Sequence, residues 1–145
     1  MKSNENKEGT RLGQLLIRDG LINEIQLQKA VEEQKLNGGL LGSNLVKLEF
    51  IDEKVLLEFI SGLYRVPMIN LEEVDVDTSL LELIPLDIIQ KHNILPVSRS
   101  GSTLVLAMVD PSNIFAIDDV KFLTGYGVDV VATTENDVKE AINKY

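Results

Sequence analysis

Arg11, Leu12 and Gly13 are the residues best placed to do chemistry. They read as the opening of a helix, where free backbone N–H groups and the positive end of the dipole favour an anion. Gly13 has no Cβ and would let a ligand approach the backbone. Arg11 offers a planar fork of donors, suited to a phosphate or to the acceptor edge of a guanine. Leu27 and Val31, four residues apart on the next expected helix, would form an apolar bed for a base. Gln34, one turn farther along, offers an amide as donor and acceptor. Taken singly, each of these residues is ordinary: Leu and Val at this spacing usually belong to a core, and a lone Arg or Gln is usually a solvated surface group.

The combination is sharper because it recurs. Leu12-Gly13-Gln14-Leu15-Leu16 returns as Leu41-Gly42-Ser43-Asn44-Leu45 at an offset of 29 residues. The same offset maps Leu27 onto Leu56 and Val31 onto Ile60, and Asn23-Glu24 onto Asp52-Glu53. The second copy lacks the polar pair, with Leu40 at the position of Arg11 and Leu63 at that of Gln34. A duplicated helical hairpin can offer two similar surfaces to a ligand with two similar halves. It can equally be the scaffold of a docking surface.

Other chemistries are excluded. There is no G-x-x-x-x-G-K-[ST] and no G-x-G-x-x-G, so no phosphate-binding loop for NTP hydrolysis is expected. His92 is the only His and Cys is absent, which removes multi-His zinc sites, thiolate metal sites and Cys nucleophiles. His92 is expected at a helix C-terminus, where it suits the dipole. Asp75-x-Asp77 lacks the rest of a calcium loop. The chain is therefore read as no enzyme, with no metal and no resident cofactor. The net charge of −9 is uneven: residues 1–70 hold 9 Lys/Arg and 10 Asp/Glu, residues 71–145 hold 5 and 13. Long-range attraction of DNA, RNA or anionic lipid is not expected. No apolar run reaches the ~20 residues that span a bilayer, and Met1 to Thr10 has no signal-peptide core.

The elements that must position these residues follow from punctuation and periodicity. Residues 1–9 read as a flexible tail. A first helix runs from Arg11 to Asp19 and ends at Gly20. Asn23, with Gln26 three residues on, forms a capping box for a helix from Glu24 to about Asn37. Gly38-Gly39 stops it. The second unit repeats the plan with helices over 41–48 and 53–64, Asp52 as cap, and Val66-Pro67 as breaker. Met68 to Leu71 reads as a short strand. Short helices follow over 79–83 and 86–92, then strands over 94–98 and 103–108 with Gly101 in the hairpin turn. A helix over 114–124, a strand over 128–132 and a helix over 135–144 complete the chain. The fold class is α+β: a four-helix subdomain of two repeated helical hairpins (10–66), then a small α/β subdomain with a β-hairpin (67–145).

With these residues in place the chain resembles the MshEN domain, the N-terminal regulatory domain of type IV pilus and type II secretion assembly ATPases. The shared pattern is R-L-G-x-x-L-x-x-x-G-x-x-x-x-x-x-L-x-x-x-L-x-x-Q, a five-residue spacer, and a second L-G-x-x-L unit. Arg11, Leu12, Gly13, Leu16, Gly20, Leu27 and Gln34 match the first motif, with Val31 for the usual Leu. Lys35 to Gly39 form the spacer. Leu41, Gly42, Leu45, Leu56 and Ile60 match the second, which departs at Glu49, where Gly is expected, and at Leu63, where Gln is common. Later segments, including Ile94-Leu95-Pro96-Val97 and Ala107-Met108-Val109-Asp110-Pro111, are also similar, so the resemblance covers about residues 10–145.

The resemblance implies a ligand, cyclic di-GMP. Arg11 would contact guanine or phosphate; Leu12-Gly13 and Leu41-Gly42 would present backbone N–H groups. Leu27, Val31, Leu56 and Ile60 would pack on the ligand and Gln34 would hydrogen-bond it. Asp110 would accept from a guanine edge or brace Arg11, while Asp110-Pro111 is independently readable as a turn after a strand. Ser43 would donate to a phosphate. The implied partners are a hexameric ATPase motor C-terminal in the same polypeptide and an inner-membrane platform protein, in the cytoplasm and peripheral to that membrane, with no DNA or RNA and no membrane insertion. Two other readings stand beside the sensor: a protein-docking module that need not keep Arg11 and Gln34, and a bare structural spacer.

Overall fold

The computed structural model describes residues 4–145, with side chains from residue 11 onward. In chain order the elements are α1 (Asn4–Arg18), α2 (Glu24–Asn37), α3 (Leu41–Lys47), α4 (Glu53–Tyr64), a 3-10 helix (Thr78–Glu82), α5 (Leu86–His92), β1 (Ile94–Ser100), β2 (Thr103–Met108), α6 (Ile114–Thr124), β3 (Gly127–Ala132) and α7 (Glu135–Lys144). The class is α+β. Contacts divide the chain into one compact unit ending at Leu56 and another from Leu57 to Tyr145. The division falls inside α4, whereas the sequence places a boundary near residue 66.

The first unit is built on the 29-residue repeat. Its buried side chains come in offset pairs: Leu16 with Leu45, Ile22 with Ile51, Leu27 with Leu56. Gly20 ends α1 at φ +75°, with its N–H on Ile17 O at 2.9 Å and the Leu21 N–H on Leu16 O at 3.0 Å. Glu49 makes the same turn at φ +62°, with N–H to Val46 O at 2.9 Å and Phe50 N–H to Leu45 O at 3.0 Å. The turn therefore survives the missing glycine, and Glu49 bears the steric cost of a Cβ in left-handed backbone. The capping box is present, with Gln26 N–H to Asn23 Oδ1 at 2.8 Å and Asn23 N–H to Gln26 Oε1 at 3.0 Å. Asp52 Oδ1 accepts from Lys54 N–H at 2.8 Å at the start of α4.

Two expectations change. Residues 1–9 read as a tail, yet α1 begins at Asn4; residues 1–3 of that expectation lie outside the described residues. Glu5, Lys7 and Glu8 are good helix formers and extend the helix past the apolar stripe that marks it in sequence. Met68 to Leu71 makes a single bridge, Met68 with Ala132, instead of a strand. Ile69 N–H reaches Ala132 O at 2.9 Å and Ala132 N–H reaches Pro67 O at 2.7 Å. Pro67 has no N–H to extend the ladder, and Asn70 Oδ1 turns the chain by accepting from Glu72 N–H at 3.0 Å.

The second unit holds a three-stranded sheet in the order β1-β2-β3. β1 and β2 form the expected antiparallel hairpin; β2 and β3 run parallel, with α6 as the crossover. The central strand is the most deeply buried, with Leu104, Leu106, Ala107 and Met108 fully enclosed. Ala116 and Val120 of α6, Ile89 of α5, and Val138 and Ala141 of α7 join the same core. β1 carries Pro96, and its register shifts between Pro96 and Ser98. Val97 O there accepts from Asp77 N–H at 3.1 Å, tying the 3-10 helix to the sheet.

Candidate functional site

The first Leu-Gly pair lies in the interior of α1, because that helix starts at Asn4. Amides so placed bond the carbonyls four residues earlier, so Leu12 and Gly13 have no free N–H groups to offer an anion. This corrects the expectation that both Leu-Gly pairs open helices. The second pair does open one. Leu40 is the N-cap of α3 with no side-chain cap, and Asn44 N–H bonds Leu40 O at 3.0 Å. Leu41, Gly42 and Ser43 form the first turn of that helix. Arg11 is exposed, Leu12 and Ser43 are half-buried, and Gly13, Leu41 and Gly42 are buried.

The glycines serve packing. A Cβ built on Gly13 would fall on Leu27 Cδ1, and one on Gly42 would lie 3.0 Å from Leu56 Cδ2. Each glycine is the seat of the leucine from the same repeat, so the side expected to admit a ligand is filled. Leu27 is 7% exposed, and Leu56 and Ile60 are 8% exposed. Val31, half-buried one turn beyond Leu27, is the part of the apolar bed within reach of solvent. Gln34 is half-buried and its Nε2 donates to Gly39 O at 3.1 Å, which engages it in closing the spacer between the repeats.

Asn44 escaped the sequence reading. It is 4% exposed, and its Nδ2 donates to Gly38 O at 3.1 Å and Leu40 O at 2.9 Å. It thereby fixes the spacer that leads into Leu41-Gly42. The signal was available: Asn44 stands at the repeat position of Leu15, a polar residue where the first copy is apolar. An ion pair, Lys47 Nζ to Glu33 Oε1 at 2.7 Å, joins α3 to α2. The bonds from Lys47 and Asn37 hold the Glu33 carboxyl below its ordinary value.

Asp110 belongs to the second unit, on the loop after β2. Its Oδ1 accepts from Ser112 N–H at 3.0 Å and from the Ser112 hydroxyl at 2.5 Å, so the turn reading of Asp110-Pro111 is realised. Asn113 caps α6 through Ala116 N–H at 3.2 Å. His92 sits at the end of α5, as expected, but its ring works across elements. Its Nε2 donates to Asp119 Oδ2 at 3.1 Å, and its Nδ1 lies 3.5 Å from Asn113 Nδ2.

Carboxylate oxygens of Glu72, Asp137 and Glu140 lie within 4.8 Å of one another. Burial, with the charge of Glu140 added, raises the Asp137 carboxyl above its ordinary value. Glu72 and Glu140 are exposed, and such acidic faces are common without an ion. A shallow depression in the first unit is lined by Val46, Glu49, Phe50, Ile51, Asp52 and Glu53. It includes none of the expected ligand residues.

The chain is similar to proteins of known kind. A family model described as the MshEN domain matches residues 64–145. The type IV pilus assembly ATPase PilB of Myxococcus xanthus is 49% identical over 135 residues, covering 93% of this chain and 24% of that protein. The chain thus spans about a quarter of that relative's length. The solved structure of MshE with cdg superposes at a TM-score of 0.71 and 33% identity, over 92% of this chain and 97% of the other. The N-terminal domain of XpsE superposes at 0.69 and 17% identity, which speaks to the fold alone. The family match falls after the tandem Leu-Gly units.

Proposed function

Because the chain belongs to the MshEN domain family, we propose that it is a regulatory domain that binds cyclic di-GMP through its tandem Leu-Gly units. The observation that carries this reading is the likeness to MshE with cdg, at 33% identity over 92% of the chain. The two copies have different tasks. Arg11, exposed on α1, supplies the bidentate donor for a guanine edge or a phosphate. The first turn of α3, at Leu41, Gly42 and Ser43, offers the positive end of the helix dipole to a phosphate. Val31 and Gln34 line the first copy's face, Gln34 exchanging its bond to Gly39 O for one to the ligand. Leu12, Gly13, Leu27 and Leu56 act as the packed backing that holds those donors in place. The ligand is an anion and the chain carries −9, so local donors must overcome an unfavourable mean field.

The chain catalyses nothing itself and needs no resident cofactor. It works in the cytoplasm in front of a hexameric ATPase motor of the same polypeptide, with an inner-membrane platform protein as a further partner. Among the described residues no helix is long and apolar enough to cross a membrane. Ligand binding alters the motor only through a difference in affinity between two conformations.

Isothermal titration tests the reading. Cyclic di-GMP should bind, and Arg11→Ala should lose about tenfold or more in affinity, the scale of a charge-assisted bidentate contact. Arg11 is exposed, so the variant should keep its unfolding midpoint. Absence of heat at millimolar ligand would overturn the assignment.

A further inference from the structure

The strongest unexplained feature lies on α6. Phe122 is 90% exposed and Phe115 is 71% exposed. Seven residues apart, they stand two turns from each other on one face of the helix. Asp118 is exposed between them, while Ala116 and Val120 on the opposite face are fully buried. Two Phe rings left in water are not needed for this core. Ile114, 61% exposed, and Leu123, 44% exposed, extend the apolar surface of the same helix, and exposed apolar surface of this kind marks an interaction site.

We propose that this face docks a partner polypeptide: an amphipathic helical segment with an apolar stripe flanked by Lys or Arg. The apolar stripe would cover the rings. The cations would meet Asp118 and Asp119, and a cation over a Phe ring gains further attraction. Charge selects this occupant over the others. Residues 71–145 carry 5 Lys/Arg against 13 Asp/Glu, and α6 itself has two Asp and one Lys. A second copy docked antiparallel through this face would set Phe115 against the other Phe122 and crowd the Asp118-Asp119 pairs of both copies near the two-fold axis. An anionic lipid surface is repelled by the same charges. None of the proposed nucleotide contacts lies on α6, so this surface is independent of the ligand reading.

The test uses the 145-residue chain, isotopically labelled and titrated with a Leu/Lys amphipathic helical peptide of about 18 residues, five turns of helix. A Leu/Glu peptide of the same pattern is the control. Amide shifts should centre on α6. The double variant Phe115→Ser/Phe122→Ser should weaken binding about tenfold, the scale of lost aromatic anchors. Asp118→Lys should weaken it too and flatten its salt dependence; it keeps both rings and stands as the test if the double variant does not fold. Equal binding of the Leu/Glu peptide, equal binding by the variants, or shifts centred away from α6 would overturn the proposal. So would two further results: self-association of the chain that the double variant abolishes, or phosphatidylglycerol vesicle binding that it abolishes.

Discussion

Single residues in this chain show what a local position costs. Glu49 adopts φ +62° at the repeat position where Gly20 adopts φ +75°. A Cβ in that region costs roughly 1–2 kcal/mol, partly offset by the lower chain entropy of a non-glycine residue. Glu49→Gly should therefore stabilise the protein by about 1 kcal/mol in urea unfolding, and Gly20→Ala should destabilise it by a similar amount. Asp137 gives a pH dependence. Its carboxyl is held above the ordinary 3.8 by burial first and by Glu140 second, so the folded state binds its proton more tightly than the unfolded chain. The group's contribution is then most favourable below that ordinary value and declines as pH rises from 3.8 through the folded value. Asp137→Asn should flatten that decline, raising stability near neutral pH by roughly 0.5 kcal/mol or less, since solvent screens a partly exposed group. Unfolding midpoints of both proteins from about pH 3 to 7, which brackets the carboxylate range, would show it; an unchanged profile would mean that Asp137 contributes nothing to the pH dependence.

At the level of elements, the repeat proves to be a packing device before it is a binding device. Gly13 seats Leu27 and Gly42 seats Leu56, so each Leu-Gly pair draws its two helices together. The two glycines differ in tolerance. A methyl at residue 13 overlaps a leucine that is 7% exposed, whereas one at 42 sits 3.0 Å from its neighbour. Gly13→Ala should cost about 1–2 kcal/mol, the overlap outweighing the helical gain of Ala over Gly. Gly42→Ala should be close to neutral. Adding Leu27→Ala to Gly13→Ala should cost less than the sum of the two single changes, measurable as a coupling in a double-mutant cycle. Helix ends marked by caps and glycines were legible because those devices act within four residues: the Asn23–Gln26 box and the Gly20 and Gly38-Gly39 stops all stand where the pattern put them. The start of α1 was not legible, because Asn4 to Thr10 has no apolar periodicity to mark it, and that start decides whether Leu12 and Gly13 have free amides.

For the whole molecule, charge and burial set the larger behaviour. The acidic balance sits in the half that contains the sheet, and the buried central strand β2 should contain the slowest-exchanging amides, at Leu104 and Leu106. Cyclic di-GMP at about a thousand times its dissociation constant should add ~4 kcal/mol by mass action, read as a rise in melting temperature; no rise would count against the proposed ligand. The sequence by itself determined the α+β class, the duplicated hairpins, the β-hairpin and the family, because periodicity, caps and motif spacing are local or strictly repeated signals. Only the tertiary structure decided what the repeated residues touch. Leu27 and Leu56 fill the space above Gly13 and Gly42, Gln34 and Asn44 hold the spacer, and Phe115 and Phe122 are left in solvent. An apolar residue at helical spacing reads the same whether it faces a glycine, a ligand or water. Which one it meets depends on the element packed opposite, and spacing along one helix does not encode that.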